Sequence, residues 1–171
     1  ISSFFTAPKL KMLGQGKNLN TLHKSLIEAQ SISKAVNYGD AFDILYNHMV
    51  NAYRCEYVYK NEIARQLLLK LHSFHEATIF NEMEVASSRA DVVIINGTSS
   101  VYEIKTEFDS FDRLETQLKS YKSVFDKIYV VTHKQSITDL RKIIDKSVGI
   151  IILNPSGVLE TLRQAKSNES K

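Results

Sequence analysis

Charged side chains interrupt two short apolar runs between residues 89 and 107, in the stretch RADVVIINGTSSVYEIKTE. Asp91 heads the first run, and Glu103 and Lys105 lie two residues apart in the second. Two carboxylates held close together repel each other unless a cation lies between them. Carboxylate oxygens suit Mg²⁺ or Mn²⁺, and an ammonium beside them can hold a developing charge or orient a water. These residue types are therefore the ones that phosphodiester hydrolysis requires.

The pairing register of the two runs decides whether the three charges meet. Alternate residues of a strand face the same way, so Glu103 and Lys105 share a face. A two-residue turn at Asn96-Gly97 sends Asp91 and Glu103 to opposite faces, whereas a three-residue loop over 96–98 places them opposite each other on one face. The Asn-Gly signal alone favours the first register, and the chemistry requires the second. We therefore predict that Asp91 and Glu103 share a face.

The elements around this hairpin are outlined by the period of apolar residues, which changes from helical to alternating after His75. Residues 1–18 indicate a loop or arm. Helices are predicted over 19–37, from Gly39 or Asp40 to Tyr53, and over 59–74. Strands are predicted over 76–85, 91–95, 100–106, 127–132 and 148–153, and further helices over 109–125 (capped by Asp109 or Ser110), 136–145 and 156–165.

This order predicts an α/β fold with a mixed sheet of about five strands flanked by helices, and with extra N-terminal helices. An N-terminal arm and helices, 1–56, are expected to pack on a core, 57–155. A C-terminal helix and tail, 156–171, complete what we predict to be a single domain overall.

The pattern Asp91…Glu103-Ile-Lys105 resembles the PD-(D/E)xK nuclease superfamily, which has the restriction-endonuclease-like fold. The following predicted helix carries Q117-L-K-S-Y121, which is similar to the QxxxY motif of the RecB-like branch. The surrounding sequence also resembles small uncharacterised bacterial and phage members. The resemblance covers residues 58–153, and Ala90 stands where the superfamily often has proline.

The resemblance implies a Mg²⁺- or Mn²⁺-dependent nuclease, acting on DNA in preference to RNA. Its implied catalytic residues are Asp91, Glu103, Lys105 and Gln117. Its implied metal ligands are Asp91, Glu103, the carbonyl of Ile104 and Glu62, the last directly or through water. Glu82 and Glu84 compete with Glu62 for the place of a third carboxylate.

Basic residues crowd the second half of the chain, and the resemblance gives some of them a nucleic-acid-binding role. The residues expected to contact the nucleic acid are Arg89, Tyr121, Lys119 and Lys122. The lysines are equally typical of the solvated face of surface helices, and Tyr121 lies on an apolar stripe that favours a core position.

Net charge, cysteine content and hydropathy restrict the cellular setting that we expect for the protein. The net charge is +3, and one cysteine, Cys55, excludes an internal disulfide. No signal peptide and no apolar run of spanning length are visible, so a cytoplasmic protein is expected. A catalytically inactive nuclease-fold module that binds nucleic acid or a protein remains an alternative, as does a ribonuclease or toxin. The chain is compatible with a homodimer or with a component of a larger defence or repair system.

Overall fold

A computed structural model describes residues 5, 7–17, 19–28, 37–68 and 76–168 of the protein. The chain divides into two compact units, residues 1–58 and residues 59–171. The ends of two predicted helices, over 29–36 and 69–74, lie outside the described residues. No helix in the described part of the chain is both long and apolar enough to span a membrane.

The first unit is helical. Helix α1 spans Ala7–Gly14, α2 spans Leu19–Glu28 and α3 spans Tyr38–Ala52. A capping box of Asn37 and Asp40 begins α3, with each side chain bonded to the backbone N–H of the other. Buried apolar residues from all three helices form a common core, made of Leu13, Leu22, Ala41 and Leu45.

The prediction of a loop or arm over residues 1–18 is wrong for α1. Its Leu, Lys and Met residues are good helix formers, and Pro8 is tolerated because it lies in the first turn. The buried side chain of Leu13 ties the helix to the core of the first unit. Gly16, at φ 72°, takes the left-handed conformation that commonly follows a helix end.

The second unit is built on one six-stranded sheet in the order β1-β2-β3-β4-β5-β6. Neighbours β3–β4 and β4–β5 are parallel, and the other pairs are antiparallel. The strands are β1 Thr78–Val85, β2 Ser88–Ile95, β3 Ser99–Ile104, β4 Lys127–Thr132, β5 Gly149–Leu153 and β6 Leu159–Arg163. The predicted α/β class with a mixed sheet and N-terminal helices is therefore confirmed.

The predicted C-terminal helix over 156–165 is wrong, because this segment contains β6, the sixth strand. Gly157, at φ 77°, and the Asn154 side chain, which accepts hydrogen bonds from Ser156 N and Val158 N, turn the chain back after β5. Backbone groups along β5 thereby gain an antiparallel partner. This local turn outweighs the weak helical period that the sequence displays.

Helices cover the face of the sheet that carries Val93 and Val101. Helix α5 spans Leu114–Lys122 and α6 spans Ile137–Ile143. The predicted stripe of α5 and its flanks packs on this face, with Leu114, Leu118, Tyr121 and Phe125 buried and Phe111 partly buried. Helix α5 begins later than predicted, and neither Asp109 nor Ser110 caps it.

A short helix connects the first unit to the sheet. Helix α4 spans Glu56–Ile63 and continues into a π-helical turn, Ala64–Leu68. Such turns commonly occur at functional sites. Glu62 lies in the last turn of α4, and its side chain is buried.

The register of β2 and β3 is the one the chemistry requires. Ile95 pairs with Ser99 and Val92 with Tyr102, so the connecting loop is 96–98. Gly97, at φ 86°, supplies the left-handed residue of that loop. Continued one step beyond the Val92–Tyr102 pair, this register sets Asp91 opposite Glu103. The loop therefore has the parity that we predict, and the two-residue Asn-Gly turn is not adopted.

Candidate active site

Asp91 and Glu103 are placed by the central hairpin. The Asp91 Oδ2 atom accepts a hydrogen bond of 2.7 Å from the backbone N–H of Ile104. This bond fixes the Asp91 carboxylate against β3, directly beside Glu103. Glu103 lies on the face that α5 covers, since its carboxylate accepts from the Tyr121 hydroxyl. The negative charge of Asp91 also raises the pKa of that hydroxyl, so both acids lie near it.

Lys105 supplies a positive charge to this pair of acids. Its Nζ atom lies 3.0 Å from Glu103 Oε1, and the two side chains are 8% and 2% exposed. The same Nζ donates a 3.0 Å hydrogen bond to Gln117 Oε1 on α5. A desolvated carboxylate is stable only with such a partner, so Lys105 compensates the charge of Glu103 inside the protein.

Tyr121 completes the surroundings of Glu103. Its hydroxyl lies 2.7 Å from Glu103 Oε2 and 2.7 Å from the carbonyl oxygen of Arg89, and its one proton is shared between these acceptors. Burial, and then the negative charge of Glu103, raise the pKa of the Tyr121 hydroxyl well above its ordinary value. A hydrogen bond from Gln117 acts on the pKa in the opposite direction and is outweighed. The phenol is therefore a neutral donor over the physiological pH range.

These contacts surround the Glu103 carboxylate. Glu103 contacts Lys105 and Tyr121, and Lys105 in turn contacts Gln117. We call these four residues the Glu103 ring. Spacing of i, i+4 places Gln117 and Tyr121 on one side of α5, which is why one side chain reaches Lys105 and the other reaches Glu103. The predicted residues Asp91, Glu103, Lys105, Gln117 and Tyr121 are thus brought together.

Glu62 has a different set of partners. Its Oε2 atom accepts hydrogen bonds from Arg65 Nε at 2.9 Å and from Gln66 Nε2 at 2.5 Å. Gln66 also donates to the carbonyl of Gly157 and accepts from Leu159 N, so it joins the π-helical turn to the start of β6.

The described ranges contain no group of three or more His, Cys, Asp and Glu side chains in a metal-binding arrangement. Glu62 does not join Asp91 and Glu103 in such a group. Its predicted role as a metal ligand stays a prediction. Glu84, the competing acid, lies exposed on β1.

The outer strand is distorted where it passes Asp91. Glu82 adopts φ 56°, and its pair is missing from the β1–β2 ladder between Asn81–Val92 and Met83–Ala90. The Glu82 carboxylate pairs with Lys60 at 2.7 Å and with Arg89 at 3.2 Å. The hydrogen bond from Lys60 chiefly holds the pKa of Glu82 below its usual range. Non-glycine residues with positive φ concentrate at functional sites, and the sequence names Glu82 as one competitor for the place of a third carboxylate.

The basic residues predicted to bind nucleic acid are exposed and already paired. Arg89 contacts Glu82, and Lys119 pairs with Glu115 one helical turn away at 2.9 Å. Lys122 forms an ion pair with Asp145. Exposed pairs of this kind are screened by solvent and contribute little to stability.

Comparison with known proteins assigns the chain to a phage family. The profile of the family described as Bacteriophage P4 protein cII matches residues 49–171. The chain belongs to the bacteriophage P4 protein cII family. A curated relative, protein cII of Enterobacteria phage P4, is 42% identical over 86 residues, which is 49% of this chain and 33% of that protein. The matched segment therefore spans about a third of the length of that relative.

A solved structure resembles this cII-family chain at low similarity. Pyrococcus furiosus SfsA, solved in complex with Ca²⁺, gives a TM-score of 0.36 at 16% identity, covering 63% of this chain and 61% of that one. A likeness of this size assigns no function. The family match includes all of the Glu103 ring, Asp91 and Glu62, because they lie within residues 49–171.

Proposed function

We propose that this cII-family chain is a metal-dependent nuclease that hydrolyses phosphodiester bonds, with DNA as the preferred substrate. The observation that carries the proposal is the pairing of Asp91 and Glu103 on adjoining strands, with the buried Lys105 ammonium 3.0 Å from Glu103. A structural sheet gains nothing from three charged groups on a covered face, because burying charge is costly. Enzyme sites commonly contain such clusters.

The residues present fit a divalent metal ion. Two carboxylates on one face, together with the backbone carbonyl of Ile104, are hard oxygen donors of the kind that Mg²⁺ and Mn²⁺ prefer. A metal ion held by Asp91, Glu103 and Ile104 would supply positive charge for the scissile phosphate and make a water more acidic. The pairing of Glu103 with Lys105 supports this assignment, since it marks a position where negative charge needs a cation.

Lys105 has the position and the protons to orient the attacking water. An ammonium has three N–H donors, and two of them go to Glu103 Oε1 and Gln117 Oε1. We assign the third to the water that attacks the phosphorus. Held by two fixed acceptors, Nζ needs little reorganisation during the reaction, which is the main source of electrostatic catalysis.

Gln117 and Tyr121 act through their neighbours. Gln117 steadies Lys105, and Tyr121 holds the Glu103 carboxylate from the side opposite Lys105. Both are positioning residues in this proposal. Replacing Gln117 with alanine is expected to reduce the rate less than replacing Lys105.

Cleavage assays test the proposal directly. Plasmid and single-stranded DNA are incubated with the protein with and without Mn²⁺ or Mg²⁺, beside Asp91→Ala and Asp91→Asn. Asparagine keeps an acceptor for the Ile104 N–H and removes the charge, so it separates loss of the site from loss of the fold. We expect both variants to lose Mn²⁺ binding in calorimetry and cleavage together. Cleavage by Asp91→Ala at the wild-type rate would refute the assignment.

A second candidate function is a catalytically inactive nuclease-fold module that binds nucleic acid or a protein partner. The observation that favours it is that both oxygens of Glu103 have protein partners, Lys105 and Tyr121. A wild-type chain that neither binds Mn²⁺ nor cuts DNA or RNA would establish this candidate in place of the nuclease.

A further inference from the structure

A cavity outside the Glu103 ring lies where four parts of the second unit meet. These parts are the end of α5, the start of β4, the connection between α6 and β5, and the segment that follows β6. The volume of the cavity is about 130 Å³, and we call it the Lys166 cavity. Its polar lining consists of Lys122, Asp126, Ser147, Lys166, Ser167 and Asn168.

The Lys166 cavity and Lys105 lie at opposite ends of the parallel strands. Strand β4 begins at Lys127, next to Asp126 of the cavity, and its Val131 pairs with Ile104, next to Lys105. The four steps from residue 127 to residue 131 correspond to roughly 13 Å, at about 3.3 Å per residue. The cavity is therefore separate from the proposed catalytic site.

Hydrogen bonds of the C-terminal segment hold the walls of the cavity together. Lys166 N donates to Ser147 O at 2.8 Å, and Asn168 N donates to Asp126 O at 2.8 Å. The Asn168 side chain also donates to Lys122 O at 2.6 Å, which satisfies a carbonyl at the end of α5. These bonds join the four parts of the chain that line the cavity, so its shape is built into the fold.

Lys166 brings an unpaired positive charge to this cavity. In the described part of the chain, Lys166 forms no ion pair. Lys122, the other ammonium of the lining, is paired with Asp145. The carboxylate of Asp126 is bonded towards β3, where its Oδ2 atom accepts from both N and Oγ of Ser99 at 2.8 Å. Lys166 is therefore the group whose charge a ligand would neutralise.

Further basic groups surround the cavity. Arg163 donates to the carbonyl oxygens of Asp145 and Val148, at 3.0 and 2.8 Å, on either side of Ser147. Burial, and then the charge of Arg141, lower the pKa of Arg163, so Arg141 also lies nearby. These positive charges favour an anion over a cation as the ligand.

The size of the cavity restricts the ligand to a small group. Pockets that hold a whole drug-sized molecule measure about 300–1,000 Å³, which is larger than the 130 Å³ found here. Lysine ammonium groups and a serine hydroxyl, that of Ser167, offer several hydrogen-bond donors to it. Charged donors of this kind form their strongest hydrogen bonds with oxyanions such as phosphate.

We propose that the Lys166 cavity is an oxyanion site that binds one phosphate group, with Lys166 as its main ligand. A nucleic acid backbone and a free phosphate ion share this chemistry. A backbone phosphate bound here would position a strand without reading its sequence. The inference goes beyond the proposed nuclease function and does not depend on it, because it requires neither a metal ion nor hydrolysis.

Titration of the full chain with inorganic phosphate tests the site, followed through the amide NMR shifts of Ser147 and Ser167. The variants are Lys166→Ala, Lys166→Arg and, as a matched control, Lys134→Ala. The control removes the same charge from an exposed lysine just beyond the other end of β4. Truncation of the Lys166 side chain leaves its backbone bond to Ser147 in place, and urea denaturation checks that each variant is folded.

The wild type should show saturable shifts at both amides. Lys166→Ala should weaken phosphate binding by about 10- to 100-fold, the factor expected when a hydrogen bond to a charged group is lost. Lys166→Arg should retain binding, and Lys134→Ala should change it by less than about twofold, because distant exposed charges are screened. Absence of saturable shifts in the wild type, or equal weakening by Lys166→Ala and Lys134→Ala, would overturn the site.

Binding of a DNA duplex in EDTA, at several salt concentrations, identifies the source of the phosphate. If the DNA backbone occupies the cavity, Lys166→Ala should reduce the slope of log affinity against log salt by about 0.9 relative to Lys134→Ala. Equal slopes, or a wild type that binds no DNA, would assign the cavity to a free or small-molecule phosphate. A chain that binds phosphate here and cuts no DNA in Mn²⁺ would refute the nuclease and leave the oxyanion site intact.

Discussion

Two glutamates of the second unit are buried to a similar degree, and they are held in different ways. The Glu103 side chain is 2% exposed and that of Glu62 is 4% exposed. Glu103 is held by Lys105, which directly follows its own strand, and by Tyr121 on α5, 18 residues later. Glu62 is held by Arg65 and Gln66, three and four residues along its own helical segment. The tertiary fold thus positions Glu103, whereas the local helical spacing supplies the partners of Glu62.

The two acids are similarly buried, but the cations paired with them differ in exposure. Lys105 is 8% exposed, so its pair with Glu103 is largely shielded from solvent. Arg65 is 53% exposed, so its pair with Glu62 is screened by solvent. An ion pair in which both groups are buried contributes little net stability, because the cost of desolvation offsets the attraction between the charges. Such a pair therefore marks a place that can accept another charge. The comparison therefore supports the proposed catalytic role of the Glu103 ring and a structural role for Glu62.

Removal of each cation should show the largest difference between the two sites. Lys105→Met leaves the Glu103 carboxylate buried without its ion pair, and we expect a loss of about 3–5 kcal/mol of unfolding free energy. Adding Glu103→Gln should recover a large part of this loss. Arg65→Met should cost less than Lys105→Met, because Gln66 still donates to the Glu62 carboxylate and solvent reaches the place of the half-exposed guanidinium. Urea denaturation of the four proteins measures these values, and equal costs at Lys105 and Arg65 would remove the distinction.

Activity should separate Lys105 from the metal ligands. We expect Lys105→Ala to lose about 10²–10³-fold in cleavage rate, the usual effect of removing one preorganised donor. Its Mn²⁺ affinity should remain close to that of the wild type, because Lys105 acts on the water and not on the ion. Calorimetry with Mn²⁺ and a plasmid-nicking assay check both statements, and retained binding also shows that the variant is folded. Loss of Mn²⁺ binding would mean that Lys105 builds the metal site itself.

Alkaline pH should affect the surroundings of Glu103 through Tyr121. Because the pKa of Tyr121 is raised in the folded protein, its stabilising effect is fully present below the unfolded value of 10.0 and is lost as pH rises above it. Tyr121→Phe should be less stable than the wild type at neutral pH, by about 1.5–3 kcal/mol for a hydrogen bond to a charged group. The gap should narrow above pH 10 by up to roughly 1.4 kcal/mol per pH unit.

Burial also raises the pKa of Tyr102 to about 12, so both proteins should lose stability between pH 10 and 12. The measurement is the free energy of unfolding of wild type and Tyr121→Phe between pH 7 and 12. A gap that stays constant over this range would show that the pKa of Tyr121 is not raised in the folded protein.

The anchoring role of the Glu62 site predicts the smallest effects. Gln66→Ala removes the side chain that donates to Gly157 O and accepts from Leu159 N. We expect a loss of about 1–2 kcal/mol of stability, and a cleavage rate within about threefold of the wild type. Thermal unfolding and the nicking assay check this pair of values. If the loss in cleavage rate exceeded what the loss of stability explains, Glu62 would have a role in the reaction and not only in holding the structure together.

The sequence predicted the charged groups of the Glu103 ring better than the elements around them. Strict alternation in β3 places Glu103 and Lys105 on one face, and helical spacing places Gln117 with Tyr121. The register of Asp91 against Glu103 could be derived only from the chemistry, because the Asn-Gly turn signal indicates the wrong parity. Strand β6 was missed because its formation depends on a turn at Gly157 and on pairing with β5, which are not properties of the segment itself. Gln66, which donates to Glu62, likewise bonds to Gly157, a residue 91 positions away along the chain.

The most direct test of the account is the rate of Mn²⁺-dependent DNA hydrolysis by Glu103→Gln beside Glu62→Gln. The two substitutions remove the same charge from glutamates of similar burial and leave the side-chain shape unchanged. The account predicts that Glu103→Gln loses at least about 100-fold, as expected when a preorganised charged group of a catalytic site is removed, and that Glu62→Gln loses less than about 10-fold. Equal losses, or a larger loss at Glu62, would contradict the assignment of chemistry to the Glu103 ring.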